Sequence, residues 1–200
     1  MDERDYTLLD RTVVFQGARR VERVKFKYRR FSGAWTEPLE RETPLHPAIA
    51  SVLPYDPRED RVVLVEQFRL TVAVLGDPPW IIEQVAGRLD AGETPEDTAR
   101  REALEESGCT LTDLHRVMNL YPAPGGVVQR WTVFVGRADA MPEQGSLHGL
   151  ENENEDLRVH VLPMSEALRW LDEGRIHEAA TTITLQWMAL HRDTLRRAWT

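Results

Sequence analysis

The sequence predicts an α/β protein in which helices flank a mixed β-sheet, preceded by a smaller antiparallel sheet. Three observations predict this class. Apolar and basic residues alternate near the start of the chain, branched apolar runs separated by turn residues occupy its middle, and two helical patterns close it. Because strands and helices alternate along most of the chain, they are expected to pack as a sandwich around a shared core.

The N-terminal segment has the two-residue period of a β-strand. Its apolar and basic residues alternate, namely Val24, Phe26 and Tyr28 with Lys25, Lys27 and Arg29. A hairpin turn is expected at residues 31–35. Residues 1–45 should therefore form an antiparallel β extension too small to hold its own core, and residues 46–200 the main domain. Because such an extension often needs a partner, we expect it to form a homodimer.

Apolar runs bounded by turn-forming residues predict the remaining elements. Strands are expected at residues 48–55, 61–70, 80–86, 116–120, 130–135 and 158–162. One helix is expected at residues 165–173, with Ser165 as its cap and Gly174 behind it, and a longer one at residues 179–199. Residues 137–156 should be largely loop.

The composition is that of an ordinary soluble globular chain. The 200 residues are 42% hydrophobic and 29% charged, which suits one substantial core. The net charge of −8 disfavours nonspecific nucleic-acid binding, because phosphates would be repelled over most of the surface. No apolar run approaches the ~18 residues of a membrane span, and residues 1–5 lack the basic then apolar order of a secretory leader. We therefore expect no membrane partner and a cytoplasmic protein.

Cysteine and histidine usage narrows the chemistry further. Cys109 is the only cysteine, so no intrachain disulfide can form, and its position after a helix-ending glycine predicts a buried apolar side chain. None of the six histidines pairs with another histidine or with the cysteine at the spacing of zinc ligands. A zinc site is not expected.

The segment from Gly87 to Cys109 is the most informative part of the chain, because a glycine-rich turn there runs into a short helix with clustered glutamates. Thr94 can cap this helix, and Asp97 completes a capping-box pattern. Pro95 suits the first helical position, and Gly108 can adopt the left-handed conformation that stops a helix. About thirteen residues should be helical.

Three glutamates lie on one face of this helix. At ~100° per residue, Glu102, Glu105 and Glu106 fall within an arc of roughly 100°. Like charges at these spacings destabilise a helix by a few tenths of a kcal/mol per pair, so something must offset the repulsion. Arg101 can brace one carboxylate, and three oxygens facing a pocket also suit a hard cation such as Mg²⁺. The alternative is a solvated helix face without a ligand.

The spacing around these glutamates resembles a known motif. Five residues separate Gly87 from Glu93, and seven more separate Glu93 from Arg101. The remaining motif positions follow in fixed register as Glu102, Ala103, Glu105, Glu106, Gly108 and Cys109. This 23-residue window resembles the complete Nudix box, and on it the chain is identified as a member of the Nudix hydrolases. The resemblance implies an α/β/α sandwich with a mixed sheet and hydrolysis of a diphosphate linked to another group.

The resemblance also implies roles within the box. Glu102 and Glu106 would hold Mg²⁺, which Mn²⁺ could replace, and the backbone carbonyl of Ala86 would be a further ligand. Glu105 would lie close by as a catalytic residue, and Arg101 would orient the glutamates. Cleavage of a phosphoanhydride requires that charge on its oxygens be neutralised while water attacks in line.

Features outside the box resemble the dimeric bacterial ADP-ribose pyrophosphatases, over a region from roughly residue 40 to the C-terminus. Pro124 lies fifteen residues beyond Cys109, as in that branch, and residues 147–156 form an acidic loop before a strand. By this resemblance Glu153 would be the general base and Glu155 a metal ligand, although the two could exchange roles. A solvated acidic loop is the alternative.

The same resemblance implies a set of substrate-binding residues: Arg41, Glu42, Arg69, Arg88, Ala123, Pro124 and Gly125. A guanidinium suits a diphosphate because it forks onto two oxygens, whereas a surface ion pair is the alternative for each charged member. The chain departs from the branch at four positions that bear on base recognition, namely Ala18, Arg19, His46 and Gln129. Aromatic residues would be expected at the first two, an arginine at the third and an acid at the fourth.

The resemblance implies Mg²⁺-dependent hydrolysis of ADP-ribose to AMP and ribose 5-phosphate. Because the adenine clasp departs from the pattern, a hydrolase for another nucleoside diphosphate sugar such as GDP-mannose is the alternative. A catalytically silent module that binds a nucleotide to regulate a partner is a third hypothesis, but degraded box acids would mark it and none is seen.

Overall fold

The computed structural model describes residues 5–200 and divides the chain into two compact units. The first comprises the chain up to Pro47 together with Tyr121–Arg130, and the second comprises Ala48–Leu120 and Trp131–Thr200. The predicted division into residues 1–45 and 46–200 stays a prediction, and it leaves Tyr121–Arg130 in the other part. Residues 1–4 lie outside the described residues. They include most of the segment from which no secretory leader was expected.

The first unit is a three-stranded antiparallel sheet, as the alternation of its residues predicted. Strand β1 (Tyr6–Gln16) pairs with β2 (Arg20–Tyr28), which pairs with β3 (Leu39–Leu45). A tight turn between β2 and β3 is closed where the Arg30 N–H donates to the Ala34 carbonyl at 2.8 Å, which agrees with the predicted hairpin turn. Every residue of β1 is exposed.

The second unit contains an eight-stranded mixed sheet with the strands in the order β10-β11-β5-β4-β9-β8, while β6 pairs with β5 and β7 with β4. Only the β4–β9 pair is parallel among the strand pairs of the described residues. The strands are β4 (Ile49–Asp56), β5 (Arg61–Phe68), β6 (Trp80–Glu83), β7 (Val85–Arg88), β8 (Leu111–Leu120), β9 (Trp131–Ala138), β10 (Leu147–His148) and β11 (Leu157–Pro163).

Helices cover both faces of this sheet and make the predicted α/β/α sandwich. The four helices are α1 (Leu70–Leu75), α2 (Pro95–Ser107), α3 (Met164–Asp172) and α4 (Ala179–Trp199). Helix α2 packs its buried alanines against one core, which includes Val63 and Val65 of β5. Helices α3 and α4 pack on the other core, which includes Val62 and Leu64. Because β5 is buried on both faces, it reads as a continuous apolar run rather than an alternating one.

The predicted helix ends are confirmed for α2 and α4 but not for α3. Helix α2 has its capping box on Thr94 and Asp97, and Gly108 adopts the left-handed conformation with φ 71°. The cap predicted at Ser165 is wrong, because Ser165 lies within the first turn and the N-cap residue is Pro163, without a side-chain bond. The helix begins at Met164, whose N–H has no acceptor within the helix and donates to the Asp60 carbonyl instead.

Two strand predictions are also corrected. The apolar run predicted as a strand to residue 70 ends at Phe68, and helix α1 follows it although its residues have high strand propensity. The run predicted as one strand at residues 80–86 is two strands separated at Gln84, because β6 pairs with β5 whereas β7 pairs with β4. Cys109 is fully buried, as expected for an apolar side chain. Within residues 5–200, no helix is both long and apolar enough to cross a bilayer.

Candidate active site

The candidate active site is built around α2, which follows β7 through a turn. The capping box and Pro95 at the first position of the helix set its start, so its glutamates project from a fixed register. Side-chain exposure decreases along this face, from 29% for Glu105 to 13% for Glu102. Glu106 is only 2% exposed. The predicted acidic face is therefore partly buried, most deeply at Glu106.

Arg101 holds the acidic residues of the box together. Its Nε and Nη2 donate to the two oxygens of Glu93 at 2.9 and 3.0 Å, and Nη1 donates to Glu102 at 2.8 Å and to Glu105 at 2.9 Å. Nη2 also donates to the carbonyl of Arg88 at 3.1 Å. Because three carboxylates surround one guanidinium, Arg101 offsets the repulsion expected on this face. This geometry agrees with an orienting role for Arg101.

Gly87 explains why the box begins with glycine. A Cβ built on Gly87 would lie 1.6 Å from Glu102 Oε1, well inside van der Waals contact. The carboxylate of Glu102 therefore lies directly on the backbone of β7. Burial raises the pKa of Glu102, while Arg101 acts in the opposite direction and Glu105 and Glu155 add to the increase.

Glu106 is the most deeply buried acid of this face. Its Oε2 accepts a hydrogen bond from the Ala86 backbone N–H at 3.1 Å. Burial raises the pKa of Glu106 well above its usual value, the Ala86 N–H lowers it, and the charges of Glu102 and Glu155 raise it further. Glu102, Glu106 and Glu155 therefore lie near enough to interact through their charges, although Glu155 is about fifty residues further along the chain.

Glu155 and Glu153 occupy different positions in the acidic loop. Residues Glu151–Glu153 form a single 3₁₀ turn, and Glu153 is exposed on it. The Glu155 carboxylate accepts a hydrogen bond from the Leu150 N–H at 3.4 Å, which turns it back into the loop. Glu155 thus lies close enough for its charge to act on Glu102 and Glu106, whereas Glu153 is at the loop surface.

The oxygen donors at this site suit a hard divalent cation. Carboxylates are preferred ligands of Mg²⁺, and a buried carboxylate whose hydrogen bond comes from a neutral N–H, as in Glu106, is stabilised by a cation. Within residues 5–200, no three or more His, Cys, Asp or Glu side chains are arranged as they stand to hold a metal ion. The metal ligands Ala86, Glu102, Glu106 and Glu155 therefore stay a prediction.

Arg69 lies in a network that sequence reasoning missed. Its Nε and Nη2 donate to the two carboxylate oxygens of Glu83 at 2.7 and 2.6 Å. Burial raises the pKa of Glu83 despite the opposing effect of Arg69. Next to Glu83, the Gln84 backbone N–H donates to Thr181 Oγ1 at 2.8 Å, which links the sheet to α4. A glutamate inside an apolar strand pattern was the available signal, because burying a charge there requires a partner.

The other predicted substrate residues fall in both units. In the second unit, Arg88 is exposed at the end of β7, and its carbonyl accepts from Arg101. In the first unit, Arg41 and Glu42 are exposed on β3, where Glu42 accepts from Arg23 at 2.7 Å. The predicted residues Ala123, Pro124 and Gly125 form an exposed turn, in which the Ala123 carbonyl accepts from the Gly126 N–H at 2.9 Å. Their substrate contacts stay predictions.

The four departures in base recognition also lie in the first unit. Arg19 and Ala18 are exposed beside the turn between β1 and β2, and the Arg19 guanidinium approaches the His46 ring nitrogens at 2.8 and 3.0 Å. Gln129 Nε2 donates to the Pro47 carbonyl at 3.2 Å. Residue 19 thus supplies a guanidinium where an aromatic side chain was expected, and residue 46 supplies an aromatic ring where an arginine was expected.

The sequence, the sandwich fold and the glutamate helix define one class of protein. The NUDIX domain matches residues 44–184, and the chain belongs to this family. A crystal structure described as an ADP compounds hydrolase superposes with a TM-score of 0.69 at 24% sequence identity, covering 93% of this chain and 95% of the other, which confirms the fold.

Named relatives place the chain within the family. It is 38% identical over 195 residues to the ADP-ribose pyrophosphatase of Escherichia coli strain K12, covering 98% of this chain and 93% of that one. The ADP-ribose pyrophosphatase of Haemophilus influenzae is 36% identical over 98% of this chain and 92% of its own length. The GDP-mannose pyrophosphatase of Cronobacter sakazakii is 37% identical, over 70% of this chain and 73% of its own. The resemblance to bacterial ADP-ribose pyrophosphatases is thereby confirmed.

Proposed function

We propose that this protein hydrolyses ADP-ribose to AMP and ribose 5-phosphate. The observation that carries this proposal is the buried Glu106 carboxylate beside Glu102 and Glu155, on a helix that begins after the Gly87 turn. The similarity to two ADP-ribose pyrophosphatases extends over 98% of the chain, which supports the substrate as well as the chemistry.

In the proposed reaction, water attacks one phosphorus atom of the diphosphate in line with the bridging oxygen. The new P–O bond forms as the bridging P–O bond breaks, and the bridging oxygen leaves on the other phosphate. Glu153 accepts the proton of the attacking water, or Glu155 does so if the two residues exchange roles. The exposure of Glu153 on its 3₁₀ turn supports this role, since an exposed carboxylate can reach a bound substrate.

Mg²⁺ is the proposed cofactor, and Mn²⁺ should be able to substitute for it. Glu102, Glu106, Glu155 and the carbonyl of Ala86 would hold the ion. When bound, the ion would neutralise charge on the diphosphate oxygens during cleavage. Arg101 keeps Glu102 and Glu105 in place through its two bonds from Nη1, so Glu105 stays close to the reacting centre.

Substrate binding is assigned to two groups of residues. Arg69 and Arg88 of the second unit are proposed to contact the diphosphate, because a guanidinium can donate to two phosphate oxygens. Arg41, Glu42 and the turn of Ala123, Pro124 and Gly125 are proposed to contact the substrate as well.

The test is to incubate the purified protein with ADP-ribose, with and without Mg²⁺ or Mn²⁺, and to quantify AMP and ribose 5-phosphate. We expect equal amounts of the two products with either metal and none in EDTA. Ribose 5-phosphate formation that persists in EDTA would contradict the metal assignment, and no turnover of any nucleoside diphosphate sugar would refute the hydrolase in favour of a silent nucleotide-binding module.

A second candidate substrate is GDP-mannose. The 37% identity to a GDP-mannose pyrophosphatase and the Ala18 and Arg19 departures favour it. The kcat/KM for ADP-ribose divided by that for GDP-mannose separates the two candidates. A ratio below one would show that GDP-mannose is the preferred substrate.

We also propose that the protein is a cytoplasmic homodimer that assembles through the first unit. Strand β1 exposes six large apolar side chains, namely Tyr6, Leu8, Leu9, Val13, Val14 and Phe15. A second copy would cover them. Light scattering at micromolar concentration should give twice the 23.0 kDa mass of the chain. The single cysteine, Cys109, suits the reducing conditions of the cytoplasm.

A further inference from the structure

Arg69 presents one free edge of its guanidinium. Glu83 binds Nε and Nη2, and within the described residues Nη1 forms no hydrogen bond. The Arg69 side chain is 39% exposed, whereas that of Glu83 is 7% exposed. The Glu83 carboxylate is therefore buried, whereas the Arg69 side chain that it binds is partly accessible.

The backbone of Arg69 is held as firmly as its side chain. Its N–H donates to the Pro79 carbonyl at 2.8 Å, and its carbonyl accepts from the N–H groups of Val72 and Ala73 at 3.0 and 3.2 Å. Arg69 is thus the N-cap residue of α1. Because both ends of the side chain are fixed, the rotamer entropy of a long arginine is lost on folding rather than on substrate binding.

Glu83 lies on the face of the sheet that α2 covers. In the β5–β6 register it stands opposite Val65, whose side chain packs in the core with Ala99 and Ala103 of α2. The charge of Glu106 acts on Arg69, as does that of Glu178 at the start of α4. The Arg69–Glu83 pair and the box glutamates therefore belong to the same side of the second unit.

The strand that carries Glu83 is anchored to α4. Glu178 caps α4 through the N–H groups of Ala180 and Thr181, and its carboxylate also accepts from Thr181 Oγ1 at 2.7 Å. That hydroxyl accepts from the Gln84 N–H at 2.8 Å, and Gln84 Nε2 donates to Ser51 Oγ at 2.7 Å. This chain of bonds fixes the junction of β6 and β7, so Glu83 is a rigid support.

We propose that Glu83 is a positioning residue that aims the free Nη1 edge of Arg69 at the diphosphate of the substrate. This inference rests on the proposed function, because it requires a diphosphate substrate. Glu83 acts through Arg69 and does not itself touch the substrate. An ammonium in place of the guanidinium could not satisfy both Glu83 oxygens and a phosphate in this geometry.

The test measures ADP-ribose binding by calorimetry in EDTA, together with KM and kcat in Mg²⁺. Glu83→Gln should weaken ADP-ribose binding and raise KM by about ten- to a hundredfold, the range for losing a charge-assisted contact, with a smaller effect on kcat. Glu83→Asp keeps the charge, so it should lose less ADP-ribose affinity than Glu83→Gln.

Glu66→Gln is the matched control. Glu66 lies on the same strand pair but opposite Ile82, on the face of α3 and α4, and it is paired with His160 at 3.0 Å and Arg158 at 3.5 Å. Its loss should change ADP-ribose affinity by less than about twofold, because Glu66 lies on the opposite face of the sheet from Glu83 and makes no bond to Arg69. Melting temperatures of all variants report folding.

A double-mutant cycle decides whether Glu83 acts through Arg69. In an Arg69→Gln background, Glu83→Gln should cause no further loss of affinity, and this double variant carries no unpaired buried charge. The inference would be overturned if Glu83→Gln bound ADP-ribose with wild-type affinity. It would also be overturned if Glu83→Gln caused the same loss of affinity in the Arg69→Gln background as in the wild type. A wild-type protein that hydrolyses no nucleoside diphosphate sugar would instead overturn the proposed function.

Discussion

The backbone N–H of Ala86 donates a hydrogen bond to the carboxylate of Glu106, with 3.1 Å between the nitrogen and Oε2. This bond joins β7 to α2 across the site, and Glu106 at its end is only 2% exposed. A neutral N–H offsets part of the cost of burying the charge, and the nearby carboxylates of Glu102 and Glu155 add to that cost. A bound cation would offset the remaining cost of burying this charge.

Glu106→Gln should therefore abolish most of the activity without unfolding the protein. The amide keeps the size of the side chain and an oxygen that can accept from Ala86, but it lacks the negative charge. We expect kcat to fall by about two orders of magnitude or more, with a melting temperature at or above that of the wild type. Glu96→Gln is the control on the same helix, because Glu96 is exposed and paired with Arg116. Retained activity in Glu106→Gln would remove Glu106 from the mechanism.

Arg101→Lys should lower both activity and stability. Lysine keeps the charge but cannot bind Glu93, Glu102 and Glu105 at once, since its ammonium lacks the planar fork. We expect a fall in kcat of about ten- to a hundredfold, as for other residues that orient ligands, and a loss of about 1–3 kcal/mol in the free energy of unfolding. Steady-state kinetics and urea unfolding measure the two effects. Wild-type kinetics in this variant would show that the glutamates need no support from Arg101.

Gly87→Ala should displace Glu102. The added methyl group would lie 1.6 Å from Glu102 Oε1, so either the carboxylate or β7 must move. We expect kcat to drop at least about tenfold and stability to fall by about 1–3 kcal/mol. In the control Gly126→Ala, the new methyl group would meet only the Ala123 carbonyl, at 4.0 Å. Equal activity of the two variants would contradict the close packing of Glu102 on the strand.

Stability at acid pH should depend on Glu93. The Arg101 guanidinium, with help from the Asp90 N–H and the Thr98 hydroxyl, lowers the pKa of Glu93 to about 2, from a usual value of 4.5. Because the folded pKa lies below the unfolded one, this contribution to stability is complete above about pH 4.5 and is lost as the pH falls toward 2. The difference in unfolding free energy between wild type and Glu93→Gln should therefore shrink over this range. Urea titrations at pH 7, 5, 4 and 3 test this, and a difference that does not change with pH would contradict it.

The helix that carries the glutamates could be predicted from sequence because its signals are local. Thr94, Pro95, Asp97 and Gly108 act within one turn of the helix ends, so their effects do not depend on the rest of the fold. The strand alternation near Val24 is local in the same sense. Local sequence failed for α1, because its branched residues favour a strand. The pairing of β5 with β6 ends at Phe68, and the chain beyond it forms a helix instead.

Local sequence thus determined the mixed α/β class, the bounds of α2 and α4, and which acids share one helix face, because these follow from residue periodicity and capping. Tertiary structure alone decided that Glu106 is buried and that Glu83 holds Arg69, while no local pattern could show that the charge of Glu155 acts on Glu106 from a distant loop. The physical reason is that burial and charge pairing depend on which strands and loops become neighbours, and the pairing of β5 with β11 joins residues far apart in the chain.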